Sequence, residues 1–402
     1  GEEGYQIFRL LDLGDFVGVA GRVMRTRKGE LSVEAREITF LGKALLPPPE
    51  KWHGLADVEV RYRQRYLDLM SNPEVRQTFR TRSAMVSALR RFLDQRGYIE
   101  VETPMMQAIA GGAIARPFVT HHNALDIDLY LRIAPELYLK RLVAGGLERV
   151  YEINRSFRNE GISSMHNPEF TMLEFYTAWF DCRDVMDTTE ALVAAAAAAA
   201  GEGPFSYRDR EVPFRTPFRR VSMKEAVAEN LGSESLPGFS PGALDAPHVL
   251  GAVLASPEFR ALAARLGLDG DAYATLSHGK RVARLFEDLV EASLWAPTFV
   301  TDYPVEVSPL AKARPDDPTT TERFELYIAG MEFANVFSEL NDPLEQRSRF
   351  LDLLQERERG ELEALVMDDD YVRALGHGLP PSGGCGVGID RLAMILTVSP
   401  SF

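Results

Sequence analysis

Arg158-Asn159-Glu160-Gly161 is followed shortly by His166-Asn167-Pro168-Glu169-Phe170, and far downstream by Gly386-Val387-Gly388-Ile389-Asp390-Arg391. The first two segments read as an antiparallel pair. Tyr151 to Arg158 suits a strand, whose side chains alternate, so Arg158 and Glu160 face one way and Asn159 the other. A loop over Gly161 to Pro168 returns the chain. Glu169 to Trp179 has the aromatic and apolar bias of a second strand, with Phe170, Met172, Glu174 and Tyr176 on one face. The pair thus offers a cation, a stacking ring and acidic groups on one surface. Arginine is the natural phosphate ligand there, because its planar fork donates two hydrogen bonds and never loses its charge. A second arginine, Arg391, follows Gly386 and Gly388, which let a strand meet a helix closely, and Leu392 to Leu396 reads as the buried face of that helix. Together these residues suit a grip on ATP that uses no Gly-rich phosphate loop.

A third segment, Gly97-Tyr98-Ile99-Glu100-Val101-Glu102-Thr103-Pro104, completes an ordered set. The three resemble the motifs of the class II aminoacyl-tRNA synthetases: 97–104 resembles motif one, 158–170 motif two and 386–391 motif three. Three ordered motifs are far more specific than a lone Gly-x-Gly, which ordinarily marks a turn. Further segments narrow the resemblance: Gly111-Gly112-Ala113, Arg116-Pro117-Phe118, Thr120 to Asp126, Ala134-Pro135-Glu136-Leu137-Tyr138-Leu139-Lys140 and Phe337-Ser338-Glu339-Leu340-Asn341-Asp342. These resemble subclass IIb and, within it, the bacterial-type lysyl-tRNA synthetase family. The likeness runs over essentially the whole chain and is weakest at Leu231 to Tyr273 and at the alanine run Ala194 to Ala200. It implies an α+β fold, a class II catalytic domain with an antiparallel sheet flanked by helices, preceded by a partial OB-fold β-barrel. The expected divisions are residues 1–46 for the second half of an OB-fold anticodon-binding domain, 47–71 for a linker, and 72–402 for the catalytic domain. Within the last, a mostly helical insertion at about 223–296 carries no chemistry and reads as packing.

Asp15 to Gly42 supports the partial barrel, reading as strands Phe16 to Met24 and Leu31 to Leu41 around Lys28-Gly29-Glu30. About half a barrel is missing by that reading, and the family continues beyond the equivalent of Phe402. The chain is therefore expected to be trimmed at both ends, with unpaired strand edges. Leu45-Leu46-Pro47-Pro48-Pro49 is a stiff connection. From Asn72 a helical pattern runs through Phe92, with Val86, Leu89 and Leu93 at helical spacing. At 402 residues the chain can bury a large core over two or three domains. It has no apolar run of membrane-spanning length and no signal peptide. Cys182 and Cys385 lack framework or metal-ligand spacing and read as reduced thiols of a cytoplasmic protein. A net charge of −14 makes tRNA contact a matter of local basic patches. Arg61, Arg63 and Arg65 form either such a patch or a solvated linker face.

The amino acid to be activated follows from charge. Lysine carries two ammonium groups and one carboxylate, so its pocket needs acids and one arginine. The resemblance assigns the α-amino group to Glu136 and the backbone at Gly112, the ε-ammonium to Glu339 and Tyr176 with Glu174 nearby, and the carboxylate to Arg158 and Asn335, with Phe337 alongside. It places Glu160 on the adenine amino group, Phe170 on the base, Asn167 on the adenine side, His166 on the outer phosphates and Arg391 on the pyrophosphate. Arg158 and Arg391 are its catalytic residues, giving lysyl-adenylate and then lysyl-tRNA(Lys) in a homodimer built on motif one. Glu325 and Glu332 flank Ala329-Gly330, and a tight turn there would bring both carboxylates to one face, a hard-oxygen pair suited to Mg2+. The resemblance assigns the same pair. Strict alternation would turn Asn335, Phe337 and Glu339 away from Glu332, so a bulge or break is expected between Glu332 and Asn335. His121 and His122, adjacent on a strand, point oppositely and read as structural. Met165, in the motif-two loop, stands where relatives often carry a polar or basic residue. Three other readings stay open: an aspartyl or asparaginyl enzyme, a lysine-activating paralogue acting on a protein, and an inactive tRNA-binding paralogue.

Overall fold

A computed structural model describes residues 2–49, 55–163, 165–201, 203–233, 236, 239–358 and 367–399. Part of the expected linker (50–54) and of the insertion (234, 235, 237 and 238) lies outside the described residues, as does Phe402. The chain divides into two compact units, Gly1–Arg80 and Thr81–Phe402.

In the first unit a helix, Glu2–Arg9, precedes strands Phe16–Arg25 and Leu31–Gly42, which pair antiparallel within a residue of the expected bounds. Gly29 closes their turn at φ +84°, a conformation that favours glycine. No third strand joins this hairpin among the described residues, and Phe16, Val23, Leu31 and Leu41 are exposed. The arginine triplet is spent on ion pairs, Arg61 and Arg65 with Asp68 and Arg63 with Glu59, which favours the solvated linker face over a basic patch.

The second unit is built on an eight-stranded sheet in the order Arg219–Ser222, Thr298–Thr301, Arg323–Ile328, Met331–Ser338, Ser382–Gly388, Glu169–Ala178, Arg149–Phe157 and Ile99–Glu100. The six central strands pair antiparallel, as expected, while each edge pair is parallel. The inner strands are buried along much of their length, with helices packed against the apolar face. Helix Pro73–Asp94 brings Leu89 and Leu93, and Cys182–Ala200 brings Leu192, Val193 and Ala196, into the same cluster as Phe175, Val336 and Val387. Of the alanine run, Ala196 and Ala197 are buried in that cluster, while the rest of the run encircles the helix and is partly or fully exposed.

Around the cleft strands the backbone departs from expectation in one place and follows it in another. Strand Arg149–Phe157 ends one residue before Arg158, so simple alternation does not set the directions of Arg158 and Glu160. Beyond the strand, Arg158 N–H still donates to the Pro168 carbonyl at 2.9 Å. The bulge is present: Leu326 pairs with Ala334 and Tyr327 with Glu332, which leaves Phe333 as the extra residue. Ala329 and Gly330 form the turn at φ +54° and +71°, so Glu325 and Glu332 share a face across it, and the bulge returns Asn335 to that face opposite Glu325.

The segment after Ser222 is mostly helical, as expected, with helices Met223–Ser233, Pro247–Leu254, Pro257–Leu266 and His278–Leu289 around their own apolar cluster. That cluster includes Val300, Tyr303 and Tyr327 of the sheet region.

Candidate active site

One cleft runs across the sheet where Glu169–Ala178, Ser382–Gly388 and Met331–Ser338 lie side by side. It is lined by Gly112, Glu136, Arg158, Glu160, His166, Asn167, Phe170, Glu174, Tyr176, Glu332, Asn335, Phe337 and Arg391. Of the residues expected in the site, only Glu325 and Glu339 are absent from this lining, and both are buried against residues that line it. Met165 also lines the cleft and packs against the main apolar cluster, so its side chain has an internal partner.

At one end the Arg158 guanidinium lies over the Phe170 ring, 5.1 Å from its centroid, and its buried Nε has no hydrogen-bond partner among the described residues. A buried donor left unmade is costly, and an arriving anion relieves that cost. Arg391 stands nearby at the start of helix Ile389–Leu396, whose apolar residues are buried as the sequence indicated. Its Nη1 donates to the Glu332 carbonyl at 2.5 Å, and Nη2 lies 3.3 Å from His166 Nε2. Burial, then Arg391, lowers the His166 pKa, so the ring favours its neutral form. Asp390 fixes the helix to the sheet, accepting from Thr171 N–H at 2.7 Å and Arg82 at 2.8 Å. This end therefore presents fixed cations beside a half-buried aromatic ring that lines the cleft, the chemistry of a nucleoside triphosphate site.

The other end is acidic. Glu136, Glu174 and Glu339 are buried, and Glu174 accepts from the Tyr176 hydroxyl at 2.9 Å. Burial and then Glu136 push Glu174 up to about 8; burial pushes Glu339 up to about 8 against the pull of Lys140. Gly112, at φ +87°, carries the chain past Glu136, where a Cβ would come within 3.0 Å of the Glu136 Cβ. Gly384 lies against Glu339 and Tyr176 so closely that a Cβ there would collide with both. Gly384→Ala is accordingly expected to raise the lysine KM in pyrophosphate exchange about tenfold to hundredfold, the scale of overpacking strain, with the ATP KM within about twofold. Equal effects on both substrates would place the collision elsewhere.

Glu325 and Glu332 are the candidate metal ligands. Glu325 accepts from Tyr303 at 2.8 Å, Tyr327 at 2.5 Å and Arg323 at 2.5 Å, which fix its carboxylate. Glu332 is freer, with Arg391 Nη1 3.6 Å from its Oε2, and burial followed by Glu325 pushes its pKa up. A carboxylate raised by a like charge is stabilised by a divalent cation, and an all-oxygen donor set that leaves room for phosphate suits Mg2+. The residues fit that ion. No cluster of three or more His, Cys, Asp or Glu side chains suited to a metal occurs among the described residues.

Four contributors were not singled out in the sequence. Arg323 ties Glu325 to Asn335, donating to the Asn335 Oδ1 at 3.0 Å. Tyr303 and Tyr327 hold Glu325. Lys140 is buried between Glu136 and Glu339. An i,i+4 Glu–Lys pair on a helix normally signals solvated surface, so nothing in the linear sequence marked Lys140 as internal. The remaining expectations are local. His121 pairs with Asp128 at 2.9 Å and His122 Nδ1 accepts from Leu125 N–H, contacts within their own hairpin. Cys182 and Cys385 are free thiols, pushed up by burial to about 11 and 12.

Residues 57–402 match the family model described as tRNA synthetases class II (D, K and N). A lysine–tRNA ligase of Pelotomaculum thermopropionicum is 54% identical over 403 residues, covering 100% of this chain and 76% of the relative. One from Moorella thermoacetica is 53% identical over 398 residues, covering 99% and 78% respectively. Another, from Burkholderia vietnamiensis, is 51% identical over 404 residues, covering 100% and 77%.

Proposed function

The chain belongs to the class II tRNA synthetases of the aspartate, lysine and asparagine group, and we propose that its activity is that of a lysine–tRNA ligase, forming lysyl-adenylate from lysine and ATP and passing lysine to tRNA(Lys). The observation that carries the choice of lysine is the acidic end of the cleft. Three buried glutamates stand there against one buried cation, Lys140, which two of them already hold, so the balance is acidic and suits an ammonium substrate rather than a carboxylate, and the lysine–tRNA ligase names of the relatives agree.

Glu136 and the Gly112 backbone take the α-ammonium, Glu339 and Tyr176 the ε-ammonium with Glu174 behind them, and Arg158 and Asn335 the carboxylate. Phe337 forms the wall along the side chain. Phe170 stacks on adenine, Glu160 and Asn167 receive its polar edge, and His166 and Arg391 take the outer phosphates. The lysine carboxylate attacks the α-phosphate in line. Arg158, positioned for both groups, stabilises the charge that develops, and Arg391 receives the departing pyrophosphate. Glu325 and Glu332 would hold Mg2+, whose contribution is to neutralise phosphate charge. The terminal ribose hydroxyl of tRNA then displaces AMP. Segment 97–104 supports a homodimer by its likeness to motif one. The two free thiols support a cytoplasmic setting, and no helix among the described residues is long and apolar enough to cross a membrane.

Charging total tRNA with labelled lysine tests the reading. The expected product is an alkali-labile ester on tRNA(Lys) that requires ATP. Label in an alkali-stable amide on protein would favour the protein-modifying paralogue, and binding without any transfer the inactive one.

The raised carboxyls set the pH dependence. Glu174 and Glu339, at about 8, are largely protonated at lower pH, whereas an ammonium ligand needs them ionised. Lysine affinity is therefore expected to weaken as pH falls from about 8 to 6, by up to about tenfold per unit for each group that must lose a proton. Calorimetry in buffers of different ionisation heat should show proton release on lysine binding near pH 7. Binding that is independent of pH and releases no proton would contradict the assignment.

A further inference from the structure

Among the described residues Lys140 is the lysine paired with Glu136 and Glu339 at the acidic end of the cleft, and the mechanism does not use it. It sits on helix Glu136–Ala144 with 1% of its side chain exposed, and its Nζ donates to Glu136 Oε1 at 2.6 Å while forming an ion pair with Glu339 Oε2. The Phe337 ring centroid lies 5.1 Å from the same nitrogen and that of Tyr176 6.0 Å. Each carboxylate thus gives one oxygen to Lys140. Neither Glu339 oxygen has a hydrogen-bond partner of good geometry among the described residues: Oε2 meets Lys140 as an ion pair alone, and Oε1 lies against Gly384 and Tyr176.

We propose that Lys140 is a resident counter-ion and positioning residue that bridges the two ammonium subsites and sets their combined charge to match lysine. The inference deepens the lysine reading given above and rests on it. Glu136, Glu174 and Glu339 bring three negative charges when ionised. Lys140 returns one, and the two that remain equal the number of ammonium groups on lysine, whose carboxylate belongs to Arg158. Without Lys140 the acids would meet an uncompensated third charge in a buried site. A buried carboxyl in that position keeps its proton rather than its charge, and so loses its grip on an ammonium group. The bridge also fixes the spacing between Glu136 and Glu339, and engages only one oxygen of each. An ordinary i,i+4 surface pair could do neither, because it would be solvated and would touch one acid only.

The titratable groups around the Lys140 amine are Glu136, Glu339, Tyr176 and Tyr371, with Glu174 acting on the two acids, and both tyrosines are raised by burial and so neutral across the working range. The pH profile of kcat/KM for lysine in pyrophosphate exchange therefore reports the acids. In Lys140→Met the lysine KM is expected to rise about 30-fold or more, the scale for a buried charge left unpaired. Its low-pH limb should move upward by about one unit or more, while the ATP KM changes little. Lys140→Arg, which keeps the charge, should keep the wild-type limb. Superimposable limbs for Lys140→Met and wild type, or equal losses for lysine and ATP at every pH, would overturn the proposal.

Should Lys140→Met fail to fold, the wild type decides. The Nζ resonance of Lys140, assigned with Lys140→Arg, should shift on adding lysine and stay fixed on adding ATP. An unmoved resonance would count against the bridge. If wild-type protein exchanges pyrophosphate with aspartate or asparagine instead, the substrate reading fails, and that result is separate from any Lys140 effect.

Discussion

Glu339→Gln is expected to raise the lysine concentration needed for half-maximal pyrophosphate exchange by about 10²- to 10³-fold, with the ATP requirement within about twofold. Truncating one partner of a buried charge pair costs about 3–4 kcal/mol, which is that range of affinity. The change is close to isosteric, so the pocket keeps its shape. What disappears is the charge that faces the ε-ammonium, and the amide also presents Lys140 with a neutral partner. Glu339 is 1% exposed, so water cannot replace the lost interaction. ATP contacts lie at the other end of the cleft, around Arg158, Phe170 and Arg391. The split between the two KM values is therefore the diagnostic quantity, and unchanged lysine dependence would remove Glu339 from the pocket.

Arg158→Lys is expected to lower kcat/KM for adenylate formation by about 10³-fold or more with respect to both substrates. Lysine retains the positive charge, so a purely electrostatic account would predict a small loss. The larger loss follows from geometry. One guanidinium must meet the substrate carboxylate and the α-phosphate together while lying on the Phe170 face, and a single ammonium cannot reproduce the planar fork. The Arg158 Nε is buried and has no hydrogen-bond partner among the described residues, so a donor is left for an anion. A variant within about tenfold of wild type would show that Arg158 contributes charge alone.

Much of the site was legible because its residues lie in a few strands at fixed spacing. Phe170, Met172, Glu174 and Tyr176 alternate along one strand, and the structure places all four in the cleft lining. The break in alternation between Glu332 and Asn335 requires a bulge on the spacing of the residues alone, and Phe333 supplies it. What could not be read depends on contacts remote in sequence. Lys140 meets Glu339 from far along the chain, and its pairing with Glu136 has the spacing of countless surface pairs. Arg323 and Tyr303 serve the site by holding Glu325, and nothing in the identity of an arginine or tyrosine distinguishes that duty from exposure to solvent. Alternation does not give the directions of Arg158 and Glu160, because the strand ends at Phe157 and the loop that follows aims them instead.

Pyrophosphate exchange into ATP, run with magnesium and with lysine, aspartate or asparagine in turn, tests the central claim most directly because it requires neither tRNA nor the residues before the catalytic unit. The charge of the acidic pocket predicts exchange with lysine alone. Exchange driven by aspartate or asparagine would contradict it.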